Sequence, residues 1–137
     1  MRFRHIVRKD RLPKNLVFAL SELESETEGY VGFTVQLCLD YGGRDEIIRA
    51  VNKALALGKK EVNEKDFSKF LDTDGVSDPD LIIRTSGEKR LSGIMPFQSV
   101  YAELDFRKVY FPEFGARELR KSLRDYSKRV RRFGGDI

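Results

Sequence analysis

The chain has 137 residues, 40% hydrophobic and 35% charged, with a formal net charge of +4 and a single cysteine. That apolar share supports one core and excludes intrinsic disorder, and the lack of any internal repeat excludes fibrous classes. No uncharged run approaches the roughly 18 residues of a membrane span, the basic opening Met1-Arg2-Phe3-Arg4-His5 lacks a signal peptide's apolar stretch, and Cys38 cannot form an intramolecular disulfide, so a cytoplasmic protein with a buried thiol is expected.

Residues 1–7 read as a short strand. Asp10 and Leu12-Pro13 then open a helix with Leu16, Val17, Leu20 and Leu23 at helical spacing, running to about Glu28 and stopping at Gly29. From Val31 the period changes to two: Val31, Phe33, Val35, Leu37 and Leu39 share one face of a strand, with Gly32, Thr34, Gln36, Cys38 and Asp40 opposite. Tyr41-Gly42-Gly43 breaks it, and a helix with an apolar face of Ile47, Ile48, Val51 and Leu55 follows to Gly58. Asn63 and Asp66 form a capping pair for a short helix through Phe70. After a turn-rich linker, Asp80-Leu81-Ile82-Ile83 is a buried strand ending in Arg84. A helix over 96–104 and a last strand over 105–110 are expected next, then a turn over 112–115. A final helix buries Leu119, Leu123, Tyr126 and Val130. Between Arg117 and Arg132 stand eight basic residues against Glu118 and Asp125, so this segment carries +6. Such a concentration suits a phosphate-bearing partner, an anionic membrane surface or nucleic acid, with a solvated helix face as the plainer alternative. The alternation of strands and helices predicts an α/β fold with a mostly parallel sheet, in a single domain over 1–137.

In open α/β sheets, ligands bind beyond the carboxyl ends of the strands. Two loops qualify. In Tyr41-Gly42-Gly43-Arg44 the glycines permit positive φ and close approach of an anion while Arg44 adds charge, though two glycines alone are weak evidence and a purely structural turn is the plainer reading. The second loop gathers Arg84, Ser86, Glu88, Arg90 and Ser92 within nine residues. Two guanidinium groups and two hydroxyls suit a diphosphate, whose oxygens accept bidentate and single hydrogen bonds together; a surface ion-pair loop is the alternative.

The strings LCLDYGGRDE, DLIIRTSGEKRLSG, MPFQSVYAEL, FPEF and RRFGG resemble, in order and spacing, the C-terminal half of the cis-prenyltransferases, the undecaprenyl diphosphate synthase family. The resemblance implies the family's α/β fold, a parallel sheet flanked by helices. It also implies a magnesium-assisted condensation of isopentenyl diphosphate with an allylic diphosphate. The arginine of RTSGE and the arginine and serine of RLS hold isopentenyl diphosphate in the family, which assigns Arg84, Arg90 and Ser92 here, with Ser86, Leu91 and Arg44 as further substrate-binding candidates. The glutamate of YAEL makes Glu103 the candidate Mg2+ ligand, through oxygen as magnesium prefers; without the resemblance it reads as an exposed helix carboxylate. Family members are homodimers whose RxG element reaches the partner's site, a role that falls to Arg132 and Gly134.

The family's opening string MDGNGRWA, whose aspartate is central to catalysis, does not occur in these residues, so no catalytic residue is assigned. The expectation is an N-terminally truncated fold that forms the isopentenyl diphosphate-binding portion of a cis-prenyltransferase. It would act as a homodimer or as a heteromer with an N-terminal synthase chain, with peripheral membrane contact and no nucleic acid. A non-catalytic accessory or regulatory subunit is the alternative. Asp40 replaces the asparagine of NYGGR and weakens anion binding there unless Arg44 pairs with it. Gly93, Pro96 and Phe97 also depart from the family's usual residues.

Overall fold

The computed structural model describes residues 1–6 and 8–132. Their strands pair in parallel and helices flank them in the chain order, so the fold is α/β as expected. Two compact units, Met1–Val76 and Ser77–Ile137, each contain one two-stranded sheet.

In the first unit β1 (Arg2–Ile6) pairs with β2 (Thr34–Cys38), Arg2 opposite Thr34 through Ile6 opposite Cys38. Parallel strands need a crossover, and α1 (Lys14–Thr27) supplies it. It also closes the outer edge of β1. Phe3 N donates to Thr27 Oγ1 at 3.0 Å, and His5 N donates to Glu24 Oε1 at 2.7 Å. Side-chain acceptors of a helix thus stand where another strand's carbonyls would.

Beyond β2 lie α2 (Gly43–Ala56) and α3 (Glu64–Ser68). The expected cap of α3 is present, with Asp66 N donating to Asn63 Oδ1 at 2.8 Å. The inward face of α2 differs from expectation: Gly43, Glu46, Ala50 and Ala54 are buried, whereas Ile48, Val51 and Leu55 are exposed. A polar network fixes this rotation. Glu46 receives Tyr41 Oη at 2.5 Å and Asp72 N at 2.9 Å, and Arg49 grips both oxygens of Asp72 at 2.8 and 2.5 Å. A buried carboxylate has to keep such partners, so it outranks the aliphatic rows in orienting the helix. The period-two strand starts later than expected, because Gly32 has φ of 100° and β2 begins at Thr34; Val31 and Phe33 precede it, 92% and 87% exposed, and Val35 and Leu37 on the strand are themselves exposed. Of the four apolar positions expected inside α1, Leu20 alone is fully buried. Cys38 is half-buried, and burial raises its thiol pKa.

In the second unit β3 (Leu81–Arg84) pairs with β4 (Glu103–Phe106), Leu81 opposite Glu103 and Arg84 opposite Phe106. The helix expected over 96–104 is absent. Gly93 and Met95 adopt left-handed φ of 79° and 44°, leaving isolated turns such as Ser99 N to Met95 O, and the strand begins early at Glu103 and ends at Phe106. A 3-10 turn (Phe111–Glu113) leads into α4 (Ala116–Tyr126). There Ser122 is buried, while Leu119, Leu123 and Val130, expected inside, are exposed. Among the described residues no helix is long and apolar enough to cross a membrane.

Burial alone would raise the Asp72 pKa, but the hydrogen bonds and charge of Arg49 outweigh it and hold the carboxyl below its ordinary value. A carboxyl depressed in the folded state contributes stability that is complete above the unfolded pKa of about 3.9 and is lost as pH falls through the folded value. Replacing Asp72 by alanine leaves Arg49 with Asp45 Oδ2, at 2.8 Å, as its remaining carboxylate partner, and is expected to cost about 1–3 kcal/mol at pH 7. Urea denaturation from pH 7 to pH 2.5 checks this: the gap between wild type and variant should narrow at the acid end, and a constant gap would contradict the pairing.

Candidate functional site

Arg84 is the last residue of β3, so the chain leaves the sheet there at its carboxyl end. The backbone then passes twice through the left-handed region: Ser86 and Gly87 have φ of 67° and 69°, and Ser92 and Gly93 have 52° and 79°. Glycine takes these angles freely. For serine they cost on the order of 1 kcal/mol, and such conformations cluster at ligand-binding segments. The first Ser-Gly pair is pinned, because Ser86 N donates to Val109 O at 2.9 Å and Gly87 N to Arg107 O at 2.8 Å. Ser86, Arg90 and Ser92 are exposed, while Arg84 and Leu91 are half-buried. Arg90 Nη1 is ion-paired with Glu88, so the loop carries its own counterion, which an incoming anion would replace. Five of the residues expected to bind substrate therefore follow one strand end.

Arg107 organises this end of the sheet and was not singled out from the sequence. Its backbone N donates to Arg84 O at 2.7 Å and its carbonyl receives Gly87 N. Its guanidinium donates through Nε to Asp105 Oδ2 at 2.7 Å and Ser122 Oγ at 3.1 Å, and through Nη2 to Asp125 Oδ2 at 2.6 Å. The hydrogen bonds to Asp105 and then Asp125 raise its pKa. One residue thus joins β3, the loop, β4 and α4. Glu46 also escaped notice, since an acid in a helix's first turn reads as a dipole partner. Apart from Asp105, two positions from Arg107, the side-chain partners of the two residues lie 5 to 26 positions away, beyond the reach of local pattern.

The remaining candidates are placed differently. Glu103 is the first residue of β4, on a strand rather than a helix. It stands opposite Leu81, three residues before Arg84, which at about 3.3 Å per residue separates it from the loop by about 10 Å along the sheet. Its carboxylate accepts from Arg129 Nη1 at 2.7 Å, and the same nitrogen reaches Leu104 O at 3.0 Å. Arg131 is bound to Asp80, to Tyr126 Oη at 3.2 Å and to Tyr101 O at 3.2 Å, and the neighbouring Arg132 is exposed. Gly134 lies outside the described residues.

Among the described residues no three His, Cys, Asp or Glu side chains gather into a metal cage. An ion at Glu103 would have to displace Arg129 and draw its other oxygens from elsewhere. Magnesium needs no such cage, because it is commonly held through one or two carboxylates together with substrate phosphates and water.

Arg44 lies in the first unit, exposed in the first turn of α2. Gly42 before it is extended, with φ of −136°, so the glycine freedom expected of this turn is unused there; the left-handed residue is Asp40, with φ of 55°. Asp40 pairs with Arg11 Nε at 3.0 Å, so Arg11 rather than Arg44 offsets the carboxylate beside this loop.

Truncating Arg107 leaves Asp105 without its bridge to α4. Arg107→Ala is expected to lower stability by about 2–3 kcal/mol and to weaken pyrophosphate binding at the loop. Denaturant titration and calorimetry measure the two effects, and unchanged pyrophosphate affinity would show that the loop does not depend on Arg107.

A protein-family model described as "Putative undecaprenyl diphosphate synthase" matches residues 1–134. The isoprenyl transferase of Aquifex pyrophilus is 44% identical over 134 residues, covering 98% of this chain and 58% of the relative. That of Thermotoga maritima is 43% identical over 141 residues, covering 100% and 60%. A "probable undecaprenyl diphosphate synthase" from Campylobacter jejuni superposes with a TM-score of 0.87 at 33% identity, covering 98% of this chain and 63% of that one. Lavandulyl diphosphate synthase from Lavandula x intermedia, crystallised with dimethylallyl diphosphate, gives a TM-score of 0.93 at 34% identity, covering 98% and 60%. The chain thus spans about 60% of the length of these relatives.

Proposed function

The chain belongs to the undecaprenyl diphosphate synthase family of prenyltransferases, and from that membership we propose that the loop leaving β3 is the isopentenyl diphosphate-binding portion of a cis-prenyltransferase site. The observation that carries this reading is the pair of left-handed serines, Ser86 and Ser92, in a loop that starts at Arg84 and contains Arg90. These residues present hydroxyls and guanidinium groups beyond the carboxyl end of a parallel sheet, where fixed positive charge and donors suit a diphosphate.

In the proposed reaction the carbon–oxygen bond of an allylic diphosphate breaks. A new carbon–carbon bond forms to the terminal carbon of isopentenyl diphosphate, which loses a proton, and inorganic diphosphate departs. Residues 84–92 hold the isopentenyl diphosphate throughout and set which alkene carbon faces the allylic centre. The neighbour crystallised with dimethylallyl diphosphate supports an allylic second substrate. That substrate is assigned to an aspartate loop, a string that does not occur within these 137 residues. The segment containing Arg132 is assigned, on the same footing, to the site of an adjoining subunit.

Isothermal titration with isopentenyl diphosphate tests the binding assignment. Arg84→Ala and Arg90→Ala should each weaken affinity by about 1.5–3 kcal/mol, which is about 10- to 150-fold, and unchanged affinity in both would reject it. Adding a polypeptide that carries the aspartate loop and following labelled isopentenyl diphosphate into product tests catalysis. Tight binding without turnover would reduce the role to that of an accessory subunit.

A further inference from the structure

The chain has one histidine, His5, and it lies in β1. The residue is 8% exposed, and among the described residues neither ring nitrogen, Nδ1 nor Nε2, has a hydrogen-bond partner. In water a neutral imidazole donates from one nitrogen and accepts at the other. Burial here removes both bonds, which native interiors rarely leave unmade, and a charged ring would suffer more than a neutral one.

The surroundings decide what a proton on that ring would do. Lys9, in the segment after β1, repels a positive ring, and Glu24 of α1 attracts it. Across the sheet β2 offers no charge: Leu37 stands opposite His5, and the ionisable side chain of that strand, Cys38, is a thiol whose pKa is raised by burial. Burial outweighs the two charges, and the His5 pKa lies below its ordinary value. Glu24 is already engaged, because its Oε1 accepts the His5 amide at 2.7 Å and its Oε2 holds Lys9 Nζ at 2.5 Å. A protonated ring has two N–H donors, and the carboxylate that attracts it is the one closing the outer edge of β1. Either the ring draws Glu24 off the backbone or it leaves the interior. Both movements part α1 from β1.

We propose that His5 is an acid-sensitive catch between β1 and α1: the neutral ring keeps the sheet edge closed, and its protonation releases the helix and bares the amides of Phe3 and His5. The catch does not depend on the diphosphate reading of the loop after Arg84. A base whose folded pKa is depressed contributes stability that is complete above its unfolded pKa of about 6.5 and is lost as pH falls through the folded value. Within that window opening takes up one proton, so the opening constant rises by up to about tenfold per pH unit. Glu24 acts at lower pH. Burial raises its pKa, but Lys9 and the His5 amide together outweigh that and hold it below the ordinary carboxylate value.

Proton NMR of the full chain provides the test, because one histidine gives one ring titration. The ring should titrate below the free value of about 6.5. Hydrogen-exchange protection factors, which correct for the intrinsic pH dependence of exchange, should fall several-fold for the Phe3 and His5 amides between pH 6.5 and pH 5, at no more than about tenfold per pH unit. The protection of Ala50, buried inside α2, should hold over the same range. His5→Phe fills the space with no titratable nitrogen and should make the Phe3 protection factor flat from pH 6.5 to pH 5. His5→Gln keeps a buried polar group that cannot take the proton and should be flat as well, at a lower level. A ring that titrates at or above pH 6.5, steady protection of Phe3 and His5 in the wild type, or an undiminished pH dependence in both variants would overturn the proposal. So would an equal loss of protection at Ala50, which is the mark of the whole unit unfolding and not of one edge opening.

Discussion

The second unit depends on the Arg107 guanidinium, shared between Asp105, Ser122 and Asp125. Its side chain ties the last helix to β4, while its backbone ties the exit of β3 and the start of the loop to the same strand. The first left-handed serine, Ser86, is tolerable because this frame over-determines it, since strained backbone persists only where its surroundings leave no relaxed alternative. The electrostatic bridge at Arg107 and the exit of the chain from Arg84 to Gly87 are therefore one structural problem.

Among the described residues the fully buried apolar side chains, Ile6, Leu20, Ala50, Ala54 and Leu71, belong to the first unit. In the second unit the buried side chains are the polar Gln98 and Ser122. Orientation in both units comes largely from polar partners: Glu46 with Tyr41 and Asp72 turns α2, and Arg107 seats α4. Buried charges and amides specify geometry sharply because a misplaced partner leaves them unsatisfied, whereas aliphatic contacts tolerate sliding.

This division explains what could be read from the sequence. The strand ending at Arg84, the cap at Asn63 and the polar loop after β3 follow from neighbours a few residues apart, and all three stand as expected. The period-two run from Val31 located the strand but not its start: Gly32, with φ of 100°, breaks the run, so Val31 and Phe33 stand before Thr34, and alternation does not record what covers the side chains that remain on the strand. The helix expected over 96–104 failed at Met95, whose left-handed backbone has no composition signal. Arg107, Glu46 and the Arg129 to Glu103 pair were invisible for a different reason: each depends on partners that only the fold brings near.

The way α1 meets β1 limits how this small sheet can grow. Thr27 and Glu24 already accept the outward amides of Phe3 and His5. A newcomer at that border would have to evict a helix, and lose its two hydrogen bonds, before making any of its own. Any additional strand, whether continuous with the chain or contributed by another molecule, finds its open amides and carbonyls on the far side of β2 rather than at β1.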